Sequence, residues 1–377
     1  LPPIVPFSVD PRGTSRMKRR HFLARAGLAA AAVPLAAPAI AQGRIEWKMV
    51  TAWPKNAPGV GMNAQRLADR ITSLSEGRMT VKLFAAGELV PPFGGMDAVM
   101  SGKAEMCHAT PHYWAGKAPA LHYFSGVPFG LTAPEMMGWI QFGGGQALWD
   151  EVYAPFGLKG FYVGSSGVQS GGWLRKEIKS AADLKGLKFR IAGLGGDVMK
   201  KMGVEVVLTP PGEIFQAMQS GAVDAAEWVG PWNDLAFGLH KAAKFYYQPG
   251  FFELGPSLEL LVDKKKLEAL PANLQKLIEQ AALATSAETL ADFTRHNIEA
   301  LDPLVKEHGV VVKAWPADVV KAAGVAWKQV QAELAKTDAL TGKVDASFRA
   351  YLAKARAWSR WSDMAALKAR EDALGKA

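Results

Sequence analysis

From residue 45 onward this chain alternates short strand-like segments with helical stretches, and that rhythm restricts the folds open to it. Ile45-Glu46-Trp47-Lys48-Met49-Val50 reads as a first strand, and Met79-Thr80-Val81-Lys82-Leu83-Phe84 alternates with period two. Between them, residues 61–75 place Met62, Leu67, Ile71 and Leu74 on one helical stripe, with Gly77 as the stop. A second helix is expected over residues 93–101, ended by Gly102, and a third strand over residues 104–108. A strand with an apolar face needs a covering layer, so β-α-β-α-β predicts a mostly parallel sheet with helices packed on it.

The rhythm resumes near Lys159. Residues 160–163, 172–175, 187–191 and 204–208 read as strands, with a helical turn at 180–186 and helices at 195–202 and 212–220. Residues 222–228 close this second unit, and residues 246–262 return as extended chain. One long helix is predicted over residues 271–308. Two α/β units joined by several crossings predict two lobes around a cleft, with ligand at the carboxyl ends of the strands. Residues 346–367 form a separate amphipathic stretch whose Phe348, Tyr351, Leu352, Ala355, Trp358, Trp361 and Ala365 recur at three- and four-residue spacing. Such a face either packs on its own lobe or docks onto a second copy.

Residues 17–41 read as an export signal. Arg19-Arg20 precede Phe22-Leu23, an alanine-rich run follows, and Ala39-Ile40-Ala41 is a small-x-small cleavage site. The paired arginines resemble a twin-arginine signal, and the run is too short and alanine-rich for a membrane anchor. Residues 1–16 read as an upstream, non-native extension. The expected location is the periplasm. The formal charge of +9 is concentrated at this end, because residues 1–41 hold six basic side chains against Asp10. What remains is an ordinary surface and not a nucleic-acid footprint. Cys107 is the sole cysteine, so no internal disulfide is available, and its neighbours Met106 and Ala104 suggest a buried small residue.

Catalytic motifs are weak throughout. Gly193-Leu194-Gly195-Gly196-Asp197 follows a strand, but Val198 stands where a dinucleotide fingerprint needs its third glycine. His108 and His112 are separated by Pro111, so they do not share a helix face as metal ligands would. There is no Gly-x-Ser-x-Gly elbow and no Walker loop.

The strand ends tell a more coherent story. Arg190 ends a strand before a turn, where a guanidinium either grips a carboxylate at two points or makes a structural ion pair. Glu227-Trp228-Val229-Gly230-Pro231 ends another strand, and a carboxylate in such apolar company needs a partner. Gln169 and Glu253 lie on segments running between the units. Carboxylates plus an amide oxygen form a hard-oxygen set suited to sodium or calcium. Tyr113, Trp114, Trp228 and Trp232 are candidate walls.

Residues 189–196, residues 211–231, Tyr113-Trp114, Val127-Pro128-Phe129-Gly130 and residues 246–259 together resemble the extracytoplasmic solute-binding subunit of tripartite ATP-independent periplasmic (TRAP) transporters. The Glu227-Trp228-Val229-Gly230-Pro231 ending is similar to the branch that binds 2-oxo and 2-hydroxy monocarboxylates with a cation. The resemblance implies a two-lobed periplasmic binding protein fold of the α/β class, with a long connecting helix and a C-terminal helical extension. Lobe I is expected over residues 42–165 with part of 260–310, and lobe II over 166–259 with part of 310–345. Residues 346–377 would be the extension, swapped between two subunits of a homodimer.

By the same resemblance, Arg190 clamps the ligand carboxylate, Gln169 contacts ligand and cation, and Tyr113 and Trp228 contact ligand. Glu227, the Trp228 carbonyl and Glu253 complete the cation shell. The implied function is capture of a pyruvate- or lactate-like acid and delivery to membrane permease subunits, without covalent chemistry. The alternatives are a dicarboxylate or aromatic acid, or a metal-assisted periplasmic enzyme on oxo acids. Arg190→Ala is expected to abolish binding and leave the fold intact.

Overall fold

The computed structural model describes residues 44–375; the expected export signal and upstream extension lie outside them. Strand β1 (Ile45–Thr51) leads into helix α1 (Val60–Leu74), strand β2 (Met79–Phe84), helix α2 (Gly95–Met100) and strand β3 (Met106–Ala109). Helices α3 (Ala133–Phe142) and α4 (Gly145–Tyr153) follow, then strand β4 (Leu158–Ser165). The chain crosses to β5 (Gly172–Leu174) and β6 (Lys188–Arg190), then α5 (Gly193–Lys201), β7 (Glu205–Val207), α6 (Ile214–Ser220), β8 (Ala225–Ala226) and α7 (Pro231–Ala236). From β9 (Phe245–Gln248) it crosses back to β10 (Ser257–Asp263) and α8 (Lys264–Glu268). The long helix α9 (Ala272–Lys306), strand β11 (Val311–Ala314) and helices α10 (Ala317–Leu334), α11 (Ala339–Ser359) and α12 (Asp363–Leu374) complete it.

Two sheets result, ordered β2-β1-β3-β10-β4 and β11-β9-β5-β8-β6-β7. The parallel rhythm holds for β2-β1-β3 and for β8-β6-β7. Both sheets are nevertheless mixed, because β10 runs antiparallel to β3 and β4, and β5 antiparallel to β8 and β9. Each of these strands begins just after the chain has crossed from the other sheet. Direct crossings free a strand from the helical return that enforces parallel pairing.

Helix α1 sits close on its sheet because its core stripe is small. Val60, Ala64, Leu67, Ala68 and Ile71 are buried at spacings of three and four, whereas Met62 and Leu74 are 42% and 53% exposed. Leu67 and Ile71 of the expected stripe hold, Met62 and Leu74 do not, and the alanines complete the face that makes the close contact. Cys107 is buried in β3.

The C-terminal stretch differs from one helix over residues 346–367. Helix α11 begins at Ala339, capped by the Asp338 carboxylate, which accepts from the Thr341 amide at 2.8 Å. A break after Ser359 separates it from α12. Phe348 is fully buried, meeting Trp139 edge-on at 5.2 Å beside the stacked Phe124. The front half of the predicted face thus packs on its own lobe, while Trp358 and Trp361 are 70% and 83% exposed. A chain ending at residue 360 should keep the melting temperature of the full chain. One ending at 345 should melt lower by on the order of 10 °C, because it loses the Phe348 plug, worth about 3–5 kcal/mol. Equal melting of the two truncations would refute the plug.

Glu259 of β10 lies fully buried, accepting from Trp114 Nε1 at 2.5 Å and Tyr153 Oη at 2.8 Å. Burial pushes its carboxyl up to about 7, with those two hydrogen bonds pulling the other way. A carboxyl raised on folding contributes stability that is complete below its unfolded value and is lost as pH climbs through the folded one. Melting temperature should therefore decline between about pH 4.5 and 7, and Glu259→Gln should flatten that slope by thermal melting at fixed salt.

Candidate functional site

The two crossings between the sheets, residues 166–171 and 249–256, run against each other. The Gln169 amide donates to the Glu253 carbonyl at 3.1 Å, and the Gly250 amide donates to the Gln169 carbonyl at 2.7 Å. Position 250 must be glycine: a Cβ there would stand 2.5 Å from the Ser170 carbonyl oxygen. This pairing brings Gln169 and Glu253 together at the mouth of β6 and β8, whose ends supply Arg190 and Glu227. A small cavity is lined by Arg190, Gln169, Tyr113, Glu227, Trp228 and Glu253, the six residues expected from sequence.

Arg190 is 1% exposed. Its Nη1 donates to the Glu227 carbonyl at 2.6 Å and to Glu227 Oε2 at 3.4 Å, while Nε and Nη2 reach the Thr209 carbonyl at 3.3 and 3.2 Å. The guanidinium is thus held from behind, with one Nη2 hydrogen left over for another acceptor. The ion-pair reading of Arg190 is realised in its geometry. Its carbonyl contacts also brace the strand ends, so Arg190→Ala is expected to cost stability as well as binding.

Glu227 and Glu253 are both buried, at 5% and 8% exposure. Burial raises the Glu227 carboxyl well above its usual range, the Glu253 charge adds to this, and Arg190 opposes it. Glu253 is pushed up to about 7 by burial, again against the pull of Arg190. One guanidinium does not balance two carboxylates. Gln169 Nε2 donates to Ser166 Oγ at 3.1 Å, but its buried Oε1 has no hydrogen-bond partner among the described residues. An orphaned amide oxygen beside two under-compensated carboxylates fits a hard cation. Among the described residues no cluster of three or more His, Cys, Asp or Glu side chains is arranged for a metal, so the fit rests on this mixed oxygen set.

Aromatic rings from the two sheets meet across the cavity. Trp53, after β1, lies 6.1 Å from Trp228 and 5.9 Å from Tyr113, and Arg190 Cζ stands 5.7 Å over the Trp228 ring. Two of the expected walls belong elsewhere: Trp114 is drawn into the core by Glu259, and Trp232 stacks on His296 at 4.1 Å. Sequence reasoning missed Trp53, Thr110, His112 and Ser166 as lining residues. His112 and Thr110 sit beside Tyr113 just past the end of β3, and strand-end position was the signal available. The sequence pattern presents His112 only as half of a metal pair with His108. Its ring is pushed down to about 3, by burial and then by the His122 and Arg190 charges, so it is neutral.

Residues 49–338 match the family described as bacterial extracellular solute-binding protein, family 7. The chain belongs to that family. A monocarboxylate 2-oxoacid-binding periplasmic protein of Nostoc is 39% identical over 356 residues, covering 92% of this chain and 97% of the relative. A solute-binding protein of a TRAP transporter from Bordetella bronchiseptica, with copurified calcium and picolinate in its active site, superposes with TM-score 0.85 at 36% identity, over 88% of this chain and 98% of that one. One from Pseudoalteromonas atlantica, with bound sodium and pyruvate, superposes with TM-score 0.84 at 36% identity, over 86% and 99%. Family 7 proteins are extracytoplasmic solute-binding components of transport systems, and this chain is one of them. Among the described residues no helix is long and apolar enough to cross a membrane.

Removing the guanidinium leaves two buried carboxylates facing each other. Arg190→Ala should cost about 3–5 kcal/mol of stability at neutral pH, read as a lower urea midpoint. An unchanged midpoint would show that Arg190 is not a structural counter-charge.

Proposed function

We propose that this family 7 protein captures a small 2-oxo or 2-hydroxy monocarboxylate, pyruvate- or lactate-like, together with sodium or calcium, and delivers it to TRAP permease subunits. The observation that carries this reading is the charge imbalance around Gln169. One buried guanidinium and two buried carboxylates leave a deficit of positive charge, and the unpartnered Gln169 Oε1 adds a neutral donor. Gln169, Glu227, the Trp228 carbonyl and Glu253 would hold the cation, which supplies positive charge opposite the oxygens of the acid. With Arg190 and calcium, two carboxylates and one monocarboxylate come to neutrality; with sodium, one shared proton restores it. A dicarboxylate would add a further uncompensated charge in a buried place.

Size supports the same class. The cavity measures ≈ 40 Å³, on the order of three or four waters, so the fitting ligand has few heavy atoms. Arg190 presents its one remaining Nη2 hydrogen to the ligand carboxylate, and the rings of Trp53, Tyr113 and Trp228 exclude water. Tyr113 lies beyond β3 of one sheet, and Arg190 ends β6 of the other. A ligand touching both binds the closed arrangement better than any open one and shifts the lobes toward closure.

The test is calorimetry on protein stripped with chelator. Pyruvate should bind only when sodium or calcium is restored, and Gln169→Ala should weaken it by about 10- to 100-fold through loss of a contact to a charged group. Picolinate and a dicarboxylate run beside it distinguish the acid class, and a search for product over hours addresses enzymatic turnover. Failure of every 2-oxo and 2-hydroxy monocarboxylate to bind with either cation would overturn the reading.

A further inference from the structure

Reading the cleft as a 2-oxo or 2-hydroxy acid site, we propose that His112 is a ligand-contacting residue whose Nε2 hydrogen-bonds the bound acid. We further infer that the Thr110–Ser125 hydroxyl pair lets this nitrogen act as donor or acceptor, so one site accommodates both a carbonyl and a hydroxyl at carbon 2.

The His112 side chain is 7% exposed and lines the cavity. Its Nδ1 is engaged with Ser125 Oγ at 2.7 Å, and the ring edge is fixed against Tyr113 at 4.8 Å and 81°. Nε2, on the far side of the ring, is buried and has no hydrogen-bond partner among the described residues. A buried ring nitrogen without a partner is costly unless something else supplies one, and in this position the ligand can.

Ser125 Oγ also meets Thr110 Oγ1 at 2.6 Å, with either oxygen able to donate. Hydroxyl hydrogens rotate, and a neutral imidazole carries its proton on either nitrogen. When Thr110 donates to Ser125 and Ser125 donates to Nδ1, Nε2 bears the hydrogen and donates to a 2-oxo oxygen. In the reverse order Nδ1 donates to Ser125, Ser125 donates to Thr110, and Nε2 accepts from a 2-hydroxyl. No heavy atom moves between the two states. Glu253 Oε1 lies 3.6 Å from Nδ1, so without Ser125 the nearest acceptor favours the hydrogen on Nδ1 and leaves Nε2 accepting.

The experiment compares wild type, His112→Asn, His112→Gln and Ser125→Ala by calorimetry with pyruvate and with lactate, cation present, after melting each apo protein. An Asn amide reaches the Nδ1 position only, whereas Gln reaches the Nε2 position. His112→Asn should weaken both acids about tenfold, the value of one buried hydrogen bond, and His112→Gln should recover part of that. Ser125→Ala should lower the ratio of pyruvate to lactate affinity several-fold. Wild-type affinity in His112→Asn overturns the contact. Should that variant not fold, His112→Gln and Ser125→Ala carry the test, and an unchanged acid ratio in Ser125→Ala overturns the relay. A wild-type protein that binds neither acid overturns the proposed function and this inference together, whereas pyruvate binding unaltered by any of the three substitutions removes His112 alone.

Discussion

The contact on which the rest of this molecule depends joins Arg190 to Glu227 in the gap between the sheets. A guanidinium buried to 1% exposure is tolerable only when its donors are answered, and here the answers come from two carbonyls and a carboxylate at strand ends. Those strand ends are where an α/β architecture presents its binding surface. The residue that stabilises β6 against β8 is therefore the residue that faces the cavity. One side chain serves both the strand ends and the cavity wall, and the sheet cannot relax there without changing what the cavity offers.

Around that pair the electrostatics are deliberately incomplete. Glu253 is carried in on a crossing segment and faces the same guanidinium, its carboxyl raised to about 7 by burial. Glu259 on the adjacent strand is raised as far, yet both its oxygens are answered by Trp114 and Tyr153. The contrast separates a buried acid that belongs to the core from one that waits for a partner. Similar burial and similar displacement lead to different chemistry because the neighbouring donors differ. Gly126 makes the arrangement possible, since a Cβ there would stand 2.4 Å from the Glu253 carboxyl.

Much of this was legible in the sequence, and the parts that were not have physical reasons. Arg190 and Glu227 announced themselves as charged residues ending apolar strands. Gln169 and Glu253 lie on irregular segments with no periodicity, so their oxygen chemistry marks them as a hard-donor set but nothing local shows that the backbone pairing brings them together. The stripe on α1 is right at Leu67 and Ile71 but incomplete, because Ala64 and Ala68 carry little weight in a hydrophobic pattern, yet they allow the closest approach. Trp114 and Trp232 were grouped with the cavity walls because an aromatic side chain at a strand end gives no sign of which way it turns. Trp114 turns toward a buried acid 145 positions away in the chain. The antiparallel insertion of β10 and β5 depends on crossings whose direction no local pattern encodes. The tail's aromatic spacing runs on past the break after Ser359, so the pattern alone predicts one helix where the structure has two.

The backbone pairing of the two crossings has one more consequence. Peptides that connect the sheets must flex whenever the sheets swing apart, and these peptides carry Gln169 and Glu253. On the proposed function, any motion that parts the crossings also bends the segments assigned to the cation, so metal and acid would leave in a single mechanical stroke.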